Sequence, residues 1–213
     1  MFSTLKQAVF GARSFGKDTY APTTPSTACA SDRDDEWVLL EEDEEQKSTE
    51  SNLGSDRRET ILAGLLVELE GLKQERAVNQ HCFQCVARPA CTIQEYLTRF
   101  SSWMGCSTEV YTIAYIYLLR LLRKQPSITV DDYSIHCLLA IALITGAKMQ
   151  DDAVYTNGYY SNLTGITKKT LVRMEMDLTK GLGWNLNVTP EEYELVESQL
   201  FEAGETALTW ELI

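Results

Sequence analysis

Basic residues are scarce in this sequence: 19 Lys and Arg stand against 31 Asp and Glu in 213 residues, a formal net charge of −12. Proteins hold polyanions by releasing counterions from phosphates onto clustered Lys and Arg, so the charge balance argues against direct DNA or RNA binding. Anionic membrane surfaces are disfavoured for the same reason. Long apolar runs are also lacking. The longest, residues 135–147, falls short of the roughly 20 residues a membrane span needs and is interrupted by His136. There are two histidines and no glycine-rich phosphate loop, since Gly181 and Gly183 alone read as a helix stop. Six cysteines are too few and too irregular for a disulfide scaffold, so a reducing compartment, cytoplasm and/or nucleus, is expected and the sequons at Asn162 and Asn187 would be idle. The expectation is a soluble protein with no cofactor.

What is present divides near residue 58. Residues 1–57 carry 12 acids against 6 bases and few large aliphatic side chains, and nine of the 14 residues from Asp32 to Glu45 are acidic. Pro22, Pro25 and the Ser/Thr run from Thr23 to Thr27 break any periodicity. Such a segment cannot bury enough apolar surface to offset its ordering entropy, so residues 1–57 are read as a disordered acidic tail. Its first 17 residues hold Lys6, Arg13 and Lys17 with Phe2, Leu5 and Val9 and no acid, so a mitochondrial presequence stays open as an alternative. Thr24 precedes Pro25, the minimal signature of a proline-directed kinase site.

Beyond residue 58 the apolar residues recur at helical spacing. Ile61, Leu62, Leu65, Leu66, Leu69 and Leu72 share one face. Thr92 and Glu95 form a capping box before a helix that turns Ile93, Tyr96, Leu97, Phe100 and Met104 inward. A third helix follows Ser107. A fourth, over about 131–148 with Thr129 as its cap, has almost no polar face and belongs at the centre of a bundle. A polar, aromatic connection through Tyr155, Asn157, Tyr159 and Tyr160 leads to a fifth helix after Thr167. A last helix opens at Thr189, Pro190, Glu191 and Glu192, where cap, first-turn proline and N3 glutamate agree. No run alternates, so the fold class is all-α: residues 58–205 form the helical domain and 206–213 a C-terminal extension.

One central buried helix wrapped by others, ending in Lys148, Asp151 and Asp152, resembles the cyclin box. Three stretches carry the likeness: CTIQEYLTRF (91–100), SIHCLLAIALITGAKMQDDAVYTNGYYSNLTGIT (134–167) and TKKTLVRMEMDLTKGLGWNLNVTPEEY (167–193). The middle one, with Asp151, Asp152, Tyr155, Asn157, Tyr159, Tyr160, Gly165 and Ile166, resembles the phosphate-system cyclins, also called P-type or U-type. The resemblance implies a single cyclin box that binds a cyclin-dependent kinase beside the kinase's mobile αC helix and needs no catalytic residue of its own. It puts the family's lysine on Lys148 and its glutamate on Glu175, with Asp151, Asp152, Tyr155 and Tyr159 as further kinase-binding residues. Three departures stand out: Leu119 precedes Arg120 where many cyclins have aspartate, so an internal salt bridge is expected to be missing; Met149 and Gln150 replace the usual aromatics; Thr164 replaces a glycine. The competing reading is a cyclin-box scaffold that binds no kinase.

Two further motifs call for weighing. Cys82-Phe-Gln-Cys85, flanked by His81 and Cys91, has the spacing of a zinc half-site, but no second half follows and no metal is assigned. His136, inside an apolar helix, reads as a core residue. In the tail, Trp37-Val-Leu-Leu40 behind Asp34, Asp35 and Glu36 is similar to peptides that add a strand to ubiquitin-like autophagy modifiers, which makes such a modifier a candidate second partner.

Overall fold

The computed structural model describes residues 47–75, 81–85 and 87–209, with side chains from residue 56. Most of the acidic tail, including Trp37 and Leu40, lies outside the described residues. Within them are seven helices and no strand: α1 (Lys47–Gly71), α2 (Ile93–Trp103), α3 (Glu109–Lys124), α4 (Ile135–Gln150), α5 (Asn157–Thr164), α6 (Lys168–Gly181) and α7 (Pro190–Thr209).

α4 is the axis of the fold. Every residue from Ile135 to Ala147 is buried, as a helix without a polar face requires. α3 lies along it and is buried continuously from Val110 to Leu118. The other helices supply one apolar stripe each, such as Leu171, Met174 and Leu178 of α6. α1 and α7 form the most extensive helix pair. They cross where Gly64 meets Leu200 and Gly204 meets Thr60, and a Cβ on either glycine would fall 1.8 or 2.0 Å from a backbone carbonyl oxygen.

Local signals set most helix starts. In the Thr92 box, the threonine hydroxyl accepts from the Glu95 amide at 3.1 Å and the Glu95 carboxylate accepts from the Thr92 amide at 2.8 Å. Thr167 caps α6, and the Glu192 amide donates to the Thr189 hydroxyl at the head of α7.

Four boundaries differ from the sequence reading. α1 begins at Lys47, ahead of the helix start read near residue 59; no proline lies between Pro25 and Pro89 to stop the helix. α4 begins at Ile135 rather than near Asp131, and Thr129 does not cap it. Instead the Asp131 amide donates to Ser134 Oγ, and that hydroxyl donates back to the Thr129 carbonyl, closing a turn ahead of the helix. The aromatic connection contains a helix, α5, started by Thr156 and ended by Gly165 at φ +73°. α7 runs to Thr209, past the expected end at 205.

Candidate functional site

The C-terminal end of α4 gathers the charges that the motif match singled out. Lys148 lies in its last turn, Asn157 opens α5 and Glu175 is midway along α6. α6 packs against both α4 and α5. Lys148 Nζ donates to Asn157 Oδ1 at 2.7 Å and to both Glu175 oxygens, at 2.8 and 2.9 Å. All three ammonium protons are therefore directed at partners. About a quarter of each charged side chain stays exposed, 24% for Lys148 and 23% for Glu175. The pair is thus held in place while its edge remains accessible to a second molecule.

Apolar side chains rim this ion pair. Val172 and Met176 are both more than 40% exposed. Val172 neighbours Glu175 and Met176 neighbours Val172 on the helix surface, at i+3 and i+4 spacing. Met149, next to Lys148, is 54% exposed. It borders a groove of about 370 Å³ whose walls include Ile113, Tyr117, Leu186, Val188 and Tyr193. A partly exposed, pre-organised ion pair beside exposed aliphatic and thioether groups has the composition of a protein-binding surface.

The remaining sequence-derived candidates separate into two groups. Asp151 is committed internally: its carboxylate accepts from the Ser107 hydroxyl at 2.6 Å and from the Ser107 amide at 3.3 Å, tying the end of α4 to the segment before α3. Asp152 is exposed. Tyr155 and Tyr159 stack with ring centroids 4.0 Å apart, and the Tyr159 hydroxyl donates to the Trp103 carbonyl. Gly105 beside this shelf adopts φ +61°, a left-handed conformation that favours glycine. With Trp103 65% and Tyr155 47% exposed, the shelf is a second apolar surface. Asn157, Val172, Met176 and Trp103 were not assigned roles from sequence. Val172 and Met176 had a signal, being apolar but off the Leu171, Met174, Leu178 stripe.

The residues of the zinc half-site diverge. His81 Nε2 donates to the Thr129 carbonyl at 3.2 Å. The Cys82 thiol bonds to the Asp177 carboxylate. Cys85 Sγ faces Cys137 Sγ at 3.0 Å, and the Cys91 carbonyl accepts from His136 Nε2 at 3.0 Å. Among the described residues no group of three or more His, Cys, Asp or Glu is placed to hold a metal ion.

Arg120 is not short of an acidic partner despite Leu119. Its guanidinium holds the Glu192 carboxylate, with Nε donating at 2.9 Å, and also donates to the Asn185 and Asn187 carbonyls. The expected missing salt bridge is replaced by one between α3 and α7.

Comparison with known proteins agrees with this arrangement of helices around α4. The family model for Cyclin matches residues 20–186. The chain is similar to Cyclin-U4-1 of Arabidopsis thaliana, 38% identical over 118 residues that make up 55% of this chain and 58% of the relative. It is also similar to Cyclin-P4-1 of Oryza sativa subsp. japonica, 37% identical over 119 residues, 56% of each chain, and to Cyclin-U4-2 of Arabidopsis thaliana, 36% identical over 111 residues, 52% and 51%. The chain spans a little over half the length of these curated relatives. The buried central helix, the Lys148–Glu175 pair and the extent of the family match lead to one conclusion: the chain belongs to the cyclin family.

Proposed function

We propose that this cyclin is a non-catalytic regulatory subunit that binds and activates a cyclin-dependent serine/threonine kinase, through the surface formed by Lys148, Glu175, Val172 and Met176. The observation that carries the reading is the Lys148–Glu175 pair, about a quarter exposed, held by Asn157 and rimmed by apolar groups. An ammonium and a carboxylate fixed side by side offer donors and acceptors to backbone groups at the edge of a partner helix. Activation then needs no chemistry in this chain. A subunit that binds the active arrangement of the kinase better than the inactive one shifts the equilibrium by that difference in affinity. Tyr155, Tyr159 and Asp152 extend the contact surface, whereas Asp151 supports it from within. The activity is assigned to the cytoplasm or nucleus, and its output to the cell cycle or to a nutrient response such as phosphate supply.

The test is to purify the tagged full chain from its native cell beside a Lys148→Ala, Glu175→Ala double variant whose helical content and thermal melt are measured. A protein kinase is expected with the parent, and its affinity should drop at least about 30-fold in the variant, corresponding to about 2 kcal/mol or more for truncating a buried interfacial pair. Absence of any kinase, with a folded chain, supports the scaffold reading instead. Equal retention by the folded double variant moves the interface elsewhere.

For the tail we propose a separate contact, in which Trp37 and Leu40 enter two pockets of a ubiquitin-like autophagy modifier as an added strand and the preceding acids meet a basic rim. Unchanged modifier binding by a Trp37→Ala, Leu40→Ala chain removes this assignment.

A further inference from the structure

Two thiols face each other where the connection between α1 and α2 crosses the head of α4. Cys85 Sγ and Cys137 Sγ are 3.0 Å apart, within about 1 Å of a disulfide bond length. Cys137 is a core residue of α4, 3% exposed, whereas Cys85 is half-buried and reachable from solvent. The backbone around Cys85 is fastened to the same region, its amide donating to the Tyr133 carbonyl at 2.8 Å. Two other thiols are directed elsewhere: Cys82 is bonded to Asp177, and Cys106 lies against Tyr111. A hydrogen bond from the Cys137 thiol favours a thiolate at Cys85, and Cys85 is the sulfur that a solvent-borne oxidant reaches.

The geometry points to Cys85 and Cys137 as a two-electron oxidation site that closes an intramolecular disulfide, with a peroxide as the oxidant. The Cys85 thiolate attacks one oxygen of hydrogen peroxide, the O–O bond breaks, and the departing hydroxide takes the proton Cys85 has lost. Cys85 becomes a sulfenic acid and the first water is released. Cys137 then loses its proton and attacks Cys85 Sγ. The S–O bond breaks and the leaving hydroxide takes the Cys137 proton as the second water. Two thiols and one peroxide thus become one disulfide and two waters.

The bond would join positions 85 and 137, fixing the α1–α2 connection to the central helix. It lies eleven residues before Lys148, about 16 Å along α4, so it stands apart from the proposed kinase surface. Closing a loop of this size restricts the unfolded chain, and the oxidised protein should melt roughly 5–10 °C above the reduced one.

The experiment uses the full chain, reduced and then treated with one equivalent of hydrogen peroxide. It is quenched with N-ethylmaleimide under denaturing conditions and mapped by mass spectrometry. The expected product is a linked peptide pair carrying Cys85 and Cys137, reversed by dithiothreitol and accompanied by the rise in melting temperature. Cys85→Ser, at a half-buried position, should lose both the link and the rise, while Cys82→Ser should keep both. A dominant link from Cys85 to Cys82, Cys91 or Cys29 overturns the assignment. So does full alkylation of Cys85 and Cys137 in wild type, a result that does not depend on any variant folding.

Discussion

Lys148 and Glu175 hold each other face to face: the ammonium lies 2.8 and 2.9 Å from the two carboxylate oxygens, and Asn157 takes the remaining proton. The pair joins the end of the central helix to α6, with α5 fastened on through Asn157. Three helices that present one surface are thus fixed by a single cation.

The first expectation follows from that geometry. Replacing Glu175 by Gln leaves a largely buried ammonium without its counter-charge, and the folded chain should lose about 1–3 kcal/mol. Replacing Lys148 by Met together with Glu175 by Gln removes both charges and should cost less than Lys148→Met and Glu175→Gln summed. Urea unfolding of the four members of this cycle measures the coupling, which should be at least about 1 kcal/mol in favour of the pair.

Gly64 and Gly204 support a second expectation. At each, a side chain would collide with backbone rather than with a movable side chain, at 1.8 Å from the Leu200 carbonyl oxygen and 2.0 Å from that of Thr60. α1 and α7 would have to separate along their whole contact. Gly64→Ala and Gly204→Ala should each cost about 3 kcal/mol or more, at the upper end of overpacking. Gly71, with nothing within 4 Å of its Cβ position, is the control. Gly71→Ala should be neutral or gain up to about 1 kcal/mol by denaturant titration.

These contacts mark the line between what the sequence carries and what it does not. The Thr92 box, the Thr167 and Thr189 caps and the centrality of α4 depend on residues within one or two turns of each other, and each is legible as a local pattern. The change in composition near residue 58 lies close to where the described side chains enter the core, at Thr60 and Ile61, although α1 starts at Lys47. α5 has eight residues, too few to establish a period, and its aromatic side chains disguised it as a connection. Gly64 and Gly204 are 140 positions apart, and neither betrays the crossing until both helices are in place. The candidate site divides the same way. Motif resemblance identified Lys148 and Glu175, but Asn157 becomes their third member only when α5 is folded against α4.

Arg120 gives a third expectation. It is on α3, yet all its partners are 65 or more positions away: Asn185 and Asn187 through their carbonyls and Glu192 through its carboxylate. Nearby, Lys124 Nζ donates to the Leu182 carbonyl at 2.6 Å. Together these two bases fasten the α6–α7 connection to α3. Arg120→Ala should cost about 2–3 kcal/mol, and Arg120→Lys should recover less than half, because an ammonium cannot reproduce the planar fork that reaches three groups at once. Hydrogen exchange should localise the loosening to residues 184–192, with α4 amides unaffected.

His136 sets the pH response. Its Nε2 donates to the Cys91 carbonyl at 3.0 Å, while Nδ1 is buried with no partner among the described residues. Tyr96 meets the ring edge-on at 5.1 Å, and Lys73 and Asp132 are the charged groups that act on it, with opposite signs. Burial disfavours the imidazolium and depresses the folded pKa below 6.5. The unfolded chain therefore binds the proton more readily, so the His136 contribution to stability is complete above pH 6.5 and is lost as pH falls through the depressed folded value. His136→Gln keeps a donor for the Cys91 carbonyl but does not titrate. Denaturant titrations at pH 7.5 and 5.5 should find a larger loss on acidification for the parent than for His136→Gln, with a difference of up to about 1 kcal/mol. An equal loss in both chains would assign the acid sensitivity to carboxylates instead.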